Sequence, residues 1–251
     1  MNIILLHGLA GSKQFFSSLE DSLRKLPGVS TLSFDLLGFG ENKFKGNNFT
    51  LEEHLNFIDK EIRTRFSNAP IVLIGHSMGG ILALHFATSN RMRVEKLILM
   101  NTPLGKNRQD VQSAIKQQKS GWGYWIQEHP LLSHLSCQVL CQAGAMKLFW
   151  GFKPKYVSDE VFRDYRKHTW KSVGESFKKI ILEQPAFSVV TTLGPLPILN
   201  IIGRSDAELS RRSVNVSHVT NIELLGGHYS LAEFPDNTIR EIKRFLNLER
   251  E

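Results

Sequence analysis

The chain has 251 residues, a formal net charge of +7 and a hydrophobic share of 41%. This length allows one large hydrophobic core with an insertion, and the composition is that of an ordinary globular protein rather than a disordered or fibrous one. No apolar run reaches the roughly 18 residues that a membrane-spanning helix requires, so we expect no membrane span.

The apolar start of the chain, Asn2–Leu6, follows no basic stretch and leads into His7-Gly8. We interpret it as a β-strand rather than as a signal peptide. The two cysteines, Cys137 and Cys141, stand four residues apart in a helical pattern and make no disulfide framework. We therefore expect free thiols, no metal site and a cytoplasmic location.

Six short segments rich in Ile, Leu and Val predict buried strands, and amphipathic segments follow most of them. The strand segments are Asn2–Leu6, Ser30–Phe34, Ile71–Ile74, Lys96–Met100, Ile198–Ile202 and Val219–Leu224, and the clearest helical ones are Lys13–Leu26, Leu51–Phe66 and Asn237–Leu248. Apolar strands that alternate with helices are typical of a mostly parallel sheet covered on both faces. The predicted fold class is therefore α/β.

One interval breaks this alternation. Residues 104–195 contain no convincing strand pattern but four helical patches, at Val111–Lys119, Leu131–Leu148, Asp159–Arg166 and Val173–Glu183. Such an interval is too long for a loop. We predict a core of residues 1–103 and 196–251, with a helical cap of residues 104–195 inserted between the fourth and fifth strands.

The most informative motif is Gly75-His76-Ser77-Met78-Gly79, between the third strand and a helical pattern. A serine on such a sharp strand-to-helix turn is strained and exposes its hydroxyl above the sheet, while the glycines allow the backbone to pass closely. Ser77 is therefore the candidate nucleophile. We expect His76 to pack under the turn rather than to act in catalysis.

A serine hydroxyl needs a base, and a carboxylate behind that base, to act as a nucleophile near neutral pH. Asp206 follows the fifth strand, and His228 follows the sixth on a Gly-Gly turn. Because the carboxyl ends of parallel strands lie at one edge of the sheet, Ser77, Asp206 and His228 are predicted to meet there. Their order along the chain is the one that accompanies this strand–turn–helix architecture.

A tetrahedral intermediate also needs N–H donors for its negative oxygen. The candidates for this oxyanion hole are the backbone N–H groups of Met78, next to the serine, and of Leu9, in the loop after the first strand. Asp35 is expected to stabilise the loop after the second strand.

These motifs together resemble the α/β-hydrolase superfamily, over Met1 to about Phe245. The residues that carry the resemblance are His7-Gly8, Asp35-Leu36-Leu37-Gly38-Phe39-Gly40, Gly75–Gly79, Asp206 and His228, in the family order. The resemblance implies an α/β-hydrolase fold with a mostly parallel sheet of about six strands, and a helical cap over the active site. One departure is that Glu41-Asn42 stand where the Asp35 motif usually ends in serine.

Serine at the turn sets the chain apart from the dehalogenases and epoxide hydrolases of the superfamily, which use aspartate there. The implied reaction is hydrolysis of an ester, thioester or lactone through an acyl-enzyme. Ser77 attacks the carbonyl, His228 moves the proton and Asp206 orients His228. No metal and no organic cofactor is expected.

The predicted cap is rich in aromatic and basic residues. It holds all four tryptophans and three of the four tyrosines, which form either its own core or an aromatic roof over an apolar acyl pocket. It also carries 13 Lys and Arg against 7 Asp and Glu. A solvated face is the simplest explanation. The alternative is steering of an anionic partner, such as an acyl carrier protein, a coenzyme A thioester or a dicarboxylate half-ester. No nucleic-acid-binding motif accompanies the charge.

The leading hypothesis is a carboxylesterase or thioesterase for a small acyl substrate. Within it, the chain is similar in size and basic cap to the pimeloyl-carrier-protein methyl ester esterases of biotin synthesis. The hypothesis of another class is a non-catalytic hydrolase-fold protein that binds a hydrophobic ligand.

Overall fold

The computed structural model describes residues 1–118, 121–142 and 159–248; for residues 121–123, 125, 130, 140–142, 160 and 161 it describes the backbone alone. Six parallel strands form one sheet in the order β2-β1-β3-β4-β5-β6. The strands are β1 Asn2–Leu6, β2 Ser30–Ser33, β3 Ile71–His76, β4 Val94–Met100, β5 Ile198–Gly203 and β6 Val219–Leu224. The predicted α/β class and strand number are confirmed.

Helices connect the strands. They are α1 Ser17–Arg24, α2 Leu51–Phe66, α3 Met78–Ser89, α4 Arg108–Gln118, α5 Gly121–Glu128, α6 Pro130–Ser136, α7 Asp159–Asp164, α8 Trp170–Ser176, α9 Ala186–Thr192, α10 Ser230–Glu233 and α11 Pro235–Leu246. Short 3₁₀ turns occupy Lys13–Phe16, Gly40–Asn42 and Glu208–Arg211, and π turns extend α6 and α8 over Cys137–Gln142 and Phe177–Leu182.

The segment Lys13–Leu26 is not the single helix that its pattern predicts. Ser12 accepts a hydrogen bond from the Gln14 N–H and thereby caps a 3₁₀ turn, and α1 begins only at Ser17. This capping starts the chain in the tighter 3₁₀ geometry, which is common at helix N-termini. The predicted helix Leu131–Leu148 is described only as far as Gln142, and its remainder lies outside the described residues.

The sheet divides the core into two layers. Along β1, Ile4 and Leu6 face the layer that includes α2 and α3, whereas Ile3 and Leu5 face the layer that includes α1 and α11. This alternation follows from the two-residue period of a strand, and both faces are apolar because both are covered. The sheet is therefore a fixed platform for the loops at its carboxyl edge.

Helix α3 is apolar on every side, with nine buried residues among its twelve. A helix of that kind must be enclosed, since a solvated helix keeps one polar face. It packs against β3 and β4 on one side and against α2, α9 and the Phe177–Leu182 turn on the others. The turn at its start, which holds the candidate nucleophile Ser77, is thus anchored to a helix that is buried on almost every side.

We call residues 101–197 the β4–β5 segment. Its described residues contain α4 to α9 and no strand, and a single antiparallel bridge joins His168 to Phe39 of the core. The Gly40 N–H donates to the Lys167 carbonyl over 2.7 Å, and Arg212 binds Asp110 through both carboxylate oxygens. The predicted domain limits at residues 104 and 195 stay predictions.

Among the described residues, no helix is long and apolar enough to cross a bilayer. Cys137 is buried, and its Sγ lies 3.3 Å from His168 Nε2. The side chain of Cys141 lies outside the described residues.

Candidate active site

Ser77 occupies a strained turn between β3 and α3. Its φ is +54°, a left-handed conformation that non-glycine residues rarely adopt, and its N–H donates to the Met100 carbonyl of β4. A Cβ on Gly75 would collide with the Gly79 backbone, and one on Gly79 would collide with the Leu6 carbonyl. The two glycines are thus required by close backbone packing, and the strain is held by the fold.

His228 and Asp206 approach Ser77 from two neighbouring loops. His228 Nε2 lies 2.9 Å from Ser77 Oγ, and His228 Nδ1 lies 3.0 Å from both carboxylate oxygens of Asp206. The His228 loop turns at Gly226, whose φ is +104°. The structure therefore brings the three predicted residues into one hydrogen-bonded chain at the carboxyl edge of the sheet, with spacing suited to proton transfer.

The Asp206 carboxylate is ionised in this environment. Its Oδ1 accepts the Ala207 N–H over 2.6 Å, and its Oδ2 accepts the Asn101 side-chain amide over 3.0 Å. Burial alone would raise the pKa of Asp206, but the hydrogen bond and charge of His228, with the two further donors, hold that pKa below its usual value. The carboxylate is therefore ready to accept the Nδ1–H of His228.

The loop after β1 brings Leu9 to the same place. A Cβ on Gly8 would lie 3.0 Å from the His76 ring and 3.1 Å from Ser77 Cβ, so this loop runs directly against the nucleophile turn. In the described part of the chain, the N–H groups of Leu9 and Met78 donate to no protein acceptor. Both predicted oxyanion donors are therefore free to bind a ligand oxygen.

His7 holds the Leu9 loop in shape. The buried ring bonds to the Gly8 carbonyl through Nδ1 over 2.8 Å, and Nε2 accepts the Leu36 N–H over 2.9 Å. Because Nε2 is an acceptor, the proton is on Nδ1 and the ring is neutral. Burial lowers the pKa of His7, which agrees with this neutral form.

Asp35 performs the structural role that the sequence predicts. Its carboxylate accepts the backbone N–H groups of Lys13 and Glu41, each over 2.8 Å. It thereby joins the loop after β2 to the start of the Lys13–Phe16 turn. A Cβ on Gly40 would collide with this carboxylate, which explains the glycine there.

The candidate site opens into a small cleft. Its lining comprises Gly8, Leu9, Gly11, Phe15, His76, Ser77, Tyr165, His228 and Tyr229. His76 stacks on Phe15 with ring centroids 4.3 Å apart, and it bonds through Nε2 to the His228 carbonyl over 2.8 Å. Burial, reinforced by the His228 charge, lowers the pKa of His76 to about 3, so the ring is neutral. It is buried beside the turn and also forms part of the cleft lining.

Of the described residues in the β4–β5 segment, Tyr165 is the one that lines this cleft. Its ring centroid lies 6.4 Å from that of Tyr229, which in turn neighbours His228. Of the other predicted aromatic residues, Trp170 stacks on His134 away from the lining, and the side chains of Trp122, Trp125, Trp150 and Tyr156 lie outside the described residues. Tyr124 contacts His129.

Two residues of the candidate site were not predicted from the sequence. Asn101 and Ser230 are fully buried behind Asp206 and linked to it, Ser230 through the side chain of Asn101. Asn101 follows the fourth strand, as the other site residues follow theirs, but no glycine or turn motif marks it. Within the described residues, no group of three or more His, Cys, Asp or Glu could hold a metal ion.

Comparison with known proteins decides the family. The sequence profile of the alpha/beta hydrolase fold matches residues 2–136, more than half of the chain. The chain belongs to this family. This α/β-hydrolase is 25% identical, over 82% of its length and 81% of the relative's, to a putative 2-succinyl-6-hydroxy-2,4-cyclohexadiene-1-carboxylate synthase of Haemophilus influenzae.

Solved structures share the whole fold of this α/β-hydrolase. A thermophilic esterase from Thermogutta terrifontis superposes with a TM-score of 0.72 at 18% identity, over 98% of this chain and 89% of that one. MenH from S. aureus superposes with a TM-score of 0.70 at 18% identity, over 98% and 93% of the two chains. At these identities the likeness concerns the fold alone.

Proposed function

We propose that this α/β-hydrolase is a serine hydrolase that cleaves a carboxylic ester or thioester of a small acyl substrate through an acyl-enzyme. One observation carries the proposal: His228 is hydrogen-bonded at once to Ser77 Oγ and to the ionised Asp206, on the wall of the cleft. A serine with such a partner is the usual nucleophile of acyl transfer.

In the proposed reaction, Ser77 Oγ attacks the acyl carbonyl while His228 Nε2 takes its proton. The proton then passes to the leaving alcohol or thiol, and the acyl group stays on Ser77. Water activated by His228 attacks the acyl-enzyme, and the acid is released. Asp206 keeps the proton of the neutral imidazole on Nδ1, so that Nε2 is free to act as the base.

The proposed oxyanion hole is formed by the N–H groups of Leu9 and Met78. Their lack of protein acceptors in the described structure supports this role, since donors already engaged could not bind the oxyanion without losing a bond. Their backbones are held by the Ser77 turn and by the His7 bonds, so the donors need little reorganisation when charge develops.

The cleft supports an uncharged acyl group. Its lining, as far as the structure describes it, is made of glycines, Leu9 and aromatic rings beside the reacting residues, with no Lys or Arg. An apolar wall with a few polar groups suits a short hydrocarbon chain. The described Lys and Arg residues of the β4–β5 segment are absent from this lining, so in the proposal they bear on approach from solution rather than on the acyl pocket.

The proposal is tested with a fluorophosphonate probe and p-nitrophenyl esters of chain length C2 to C12. We expect labelling and turnover in the parent and in Ser89→Ala, which alters an exposed serine on α3. Ser77→Ala should abolish labelling and lower kcat by a factor on the order of 10⁴ or more. Absence of labelling and of Ser77-dependent turnover would refute the proposed serine hydrolase activity. It would favour a non-catalytic protein that binds a hydrophobic ligand.

An acidic acyl carrier as the natural donor of the acyl group is the second element of the proposal. The excess of Lys and Arg in residues 104–195 supports it. Raising the salt concentration should then slow hydrolysis of a carrier-bound ester much more than that of a neutral ester, because salt screens exposed charges. Equal slowing of both reactions would exclude an acidic carrier as the natural donor of the acyl group.

A synthase reaction is the second candidate, favoured by the similarity to the Haemophilus influenzae protein over most of both chains. The product in that protein's name carries two carboxylates. A site built for it should hydrolyse p-nitrophenyl hemisuccinate faster than p-nitrophenyl butyrate, whereas the apolar lining described above predicts the reverse. The ratio of the two kcat/KM values decides between them.

A further inference from the structure

Asn101 connects the loops that carry the acid and the base. It follows β4 directly, and its side chain is fully buried. Nδ2 donates to Asp206 Oδ2 and to the Gly227 carbonyl, each over 3.0 Å. Oδ1 accepts the Ser230 hydroxyl over 2.6 Å. One amide thus contacts the acid itself, the residue before His228 and the start of α10.

The orientation of this amide follows from its neighbours. Asp206 Oδ2 and the Gly227 carbonyl are both acceptors, so the atom that faces them must be the donor Nδ2. Ser230 then supplies the hydroxyl proton that Oδ1 needs. All the strong hydrogen-bonding positions that face Asp206 and Gly227 are therefore satisfied, which is what makes a buried polar network rigid.

The backbone is shaped to present this side chain. Asn101 has a φ of +50°, and its N–H continues the sheet by donating to the Ile201 carbonyl over 2.9 Å. Asn tolerates the left-handed region better than other non-glycine residues. A Cβ on Gly203 would lie 2.7 Å from Asn101 Nδ2, so the absence of a side chain there leaves room for the amide.

We propose that Asn101 is a positioning residue, which holds the Asp206 carboxylate and the His228 loop in the relative orientation needed for proton transfer from Ser77. The role rests on the proposed serine hydrolase. Asn101 acts through Asp206 and Gly227 and has no place in the cleft lining. Without its amide, Asp206 Oδ2 would keep His228 as its one donor and the Gly227 carbonyl would lose this bond.

Two variants separate the amide from the backbone. Asn101→Gly keeps the left-handed backbone without strain and removes the amide; Asn101→Asp keeps the shape and replaces the donor by a carboxyl. Asn200→Ala is the matched control, because Asn200 is a buried amide on β5 that bonds to the Arg212 carbonyl and Asn221, away from the cleft. Each rate is referred to the concentration of sites that the fluorophosphonate probe labels.

For Asn101→Gly we expect kcat per labelled site to fall about 10- to 100-fold, the value of one hydrogen bond to a charged group, with KM within about 2-fold. In Asn101→Asp the new carboxyl lies against Asp206 Oδ2 and the Gly227 carbonyl, where two carboxyl groups cannot both ionise. It therefore carries one proton, which it can donate to Asp206 or to Gly227 but not to both, and we expect kcat per labelled site to lie between those of the parent and Asn101→Gly. Asn200→Ala should keep both kcat and KM.

A merely structural Asn101 gives a different result. Fewer sites would then be labelled, but kcat per labelled site in Asn101→Gly and in Asn101→Asp would match the parent, and the proposal would fall. If Asn101→Gly does not fold, the isosteric Asn101→Asp still decides. If the parent hydrolyses no ester, the proposed function fails on its own, and the NMR resonance of the His228 Nδ1 proton, which reports its hydrogen bond to Asp206, tests Asn101: an unchanged resonance in Asn101→Asp overturns the proposal.

Discussion

The sheet core and the β4–β5 segment are held in different ways. In the core, β3 and β5 are buried along their whole length, and the candidate site residues stand where strands end. The segment exposes apolar residues such as Leu131 and is tied to the core partly by separate polar contacts, at Asp110, Lys167 and Ser176. The positions of Ser77, Asp206 and His228 are therefore set by the core, while changes in the segment can alter the cleft with less effect on those positions.

The two regions differ most in how they tolerate a side chain added at a glycine. Gly79→Ala in the core forces a Cβ against the Leu6 carbonyl, which cannot move without displacing β1. We expect a loss of about 3 kcal/mol or more in the free energy of unfolding. Gly174→Ala on α8 is the control, because its Cβ would have Trp170 as nearest neighbour at 3.9 Å. It should gain up to about 1 kcal/mol from helix propensity.

Urea titration of both variants measures these two free energies. Equal changes in Gly79→Ala and Gly174→Ala would contradict the idea that the two regions tolerate backbone crowding differently.

The joint between the regions at His54 is sensitive to pH. His54 on α2 is fully buried, bonds to Ser176 Oγ over 3.2 Å, and burial lowers its pKa to about 4. Between about pH 6.5 and this value the unfolded histidine binds a proton that the folded one refuses, so stability is lost as the pH falls through that window. In His54→Gln the loss of unfolding free energy over this pH window should be smaller than in the parent by on the order of 3 kcal/mol.

Chemical denaturation at pH 7 and pH 4 measures the slope. Ser176→Ala serves as the control, because it removes the hydrogen bond but keeps the buried ring, and its stability should retain the pH dependence of the parent. A parent whose stability is the same at both values would count against a neutral buried His54.

The ion pair between Asp110 and Arg212 is one of the polar contacts that join the β4–β5 segment to the core. Arg212 donates to both carboxylate oxygens and lowers the pKa of Asp110 to about 2. Asp110→Asn should cost about 1 to 2 kcal/mol at pH 7, less than a fully buried pair, because both side chains are partly exposed. Since the folded pKa is lowered, this stabilisation is lost as the pH falls from about 4 to about 2.

Urea unfolding of parent and Asp110→Asn at pH 7 and pH 2.5 should therefore give two curves that converge in acid. Glu223→Gln is the control. The ion pair of Glu223 with Arg204 is exposed to solvent, so its loss should lower the free energy of unfolding by less than about 1 kcal/mol. A gap that persists unchanged at low pH would exclude the ion pair as its cause.

The smallest effect concerns selection of substrate. Tyr165→Ala shortens the one described side chain of the segment that lines the cleft. We expect the ratio of kcat/KM for long and short p-nitrophenyl esters to change by about 10-fold toward long chains, while labelling of Ser77 is retained. Tyr124→Ala, outside the lining, should leave the ratio unchanged; a profile that Tyr165→Ala does not move would assign selection to the core instead.

The inner strands were predictable because each contains an apolar run that the sheet buries. The edge strands β2 and β6 carry polar residues and are only partly buried. The ends of the strands were less predictable: β3 continues through Gly75-His76, which look like turn residues, because β4 pairs with them as far as Met100. Lys13–Leu26 was wrong as one helix, since a cap at Ser12 outweighs the amphipathic pattern. The approach of Ser77, Asp206 and His228 was predictable from parallel strands alone.

The sequence by itself determined the fold class, the strand-to-helix turn at Ser77 and the loops that meet there, since glycine patterns and apolar periodicity are local properties. Only the tertiary structure decided which side chains support them. Asn101, Ser230, Phe15 and Tyr165 act through neighbours that lie far along the chain, and an isolated residue carries no local mark of such a neighbour. Hydrogen bonds between loops depend on the order of the strands in the sheet and on where the β4–β5 segment contacts the core. Neither can be predicted from one short stretch of sequence.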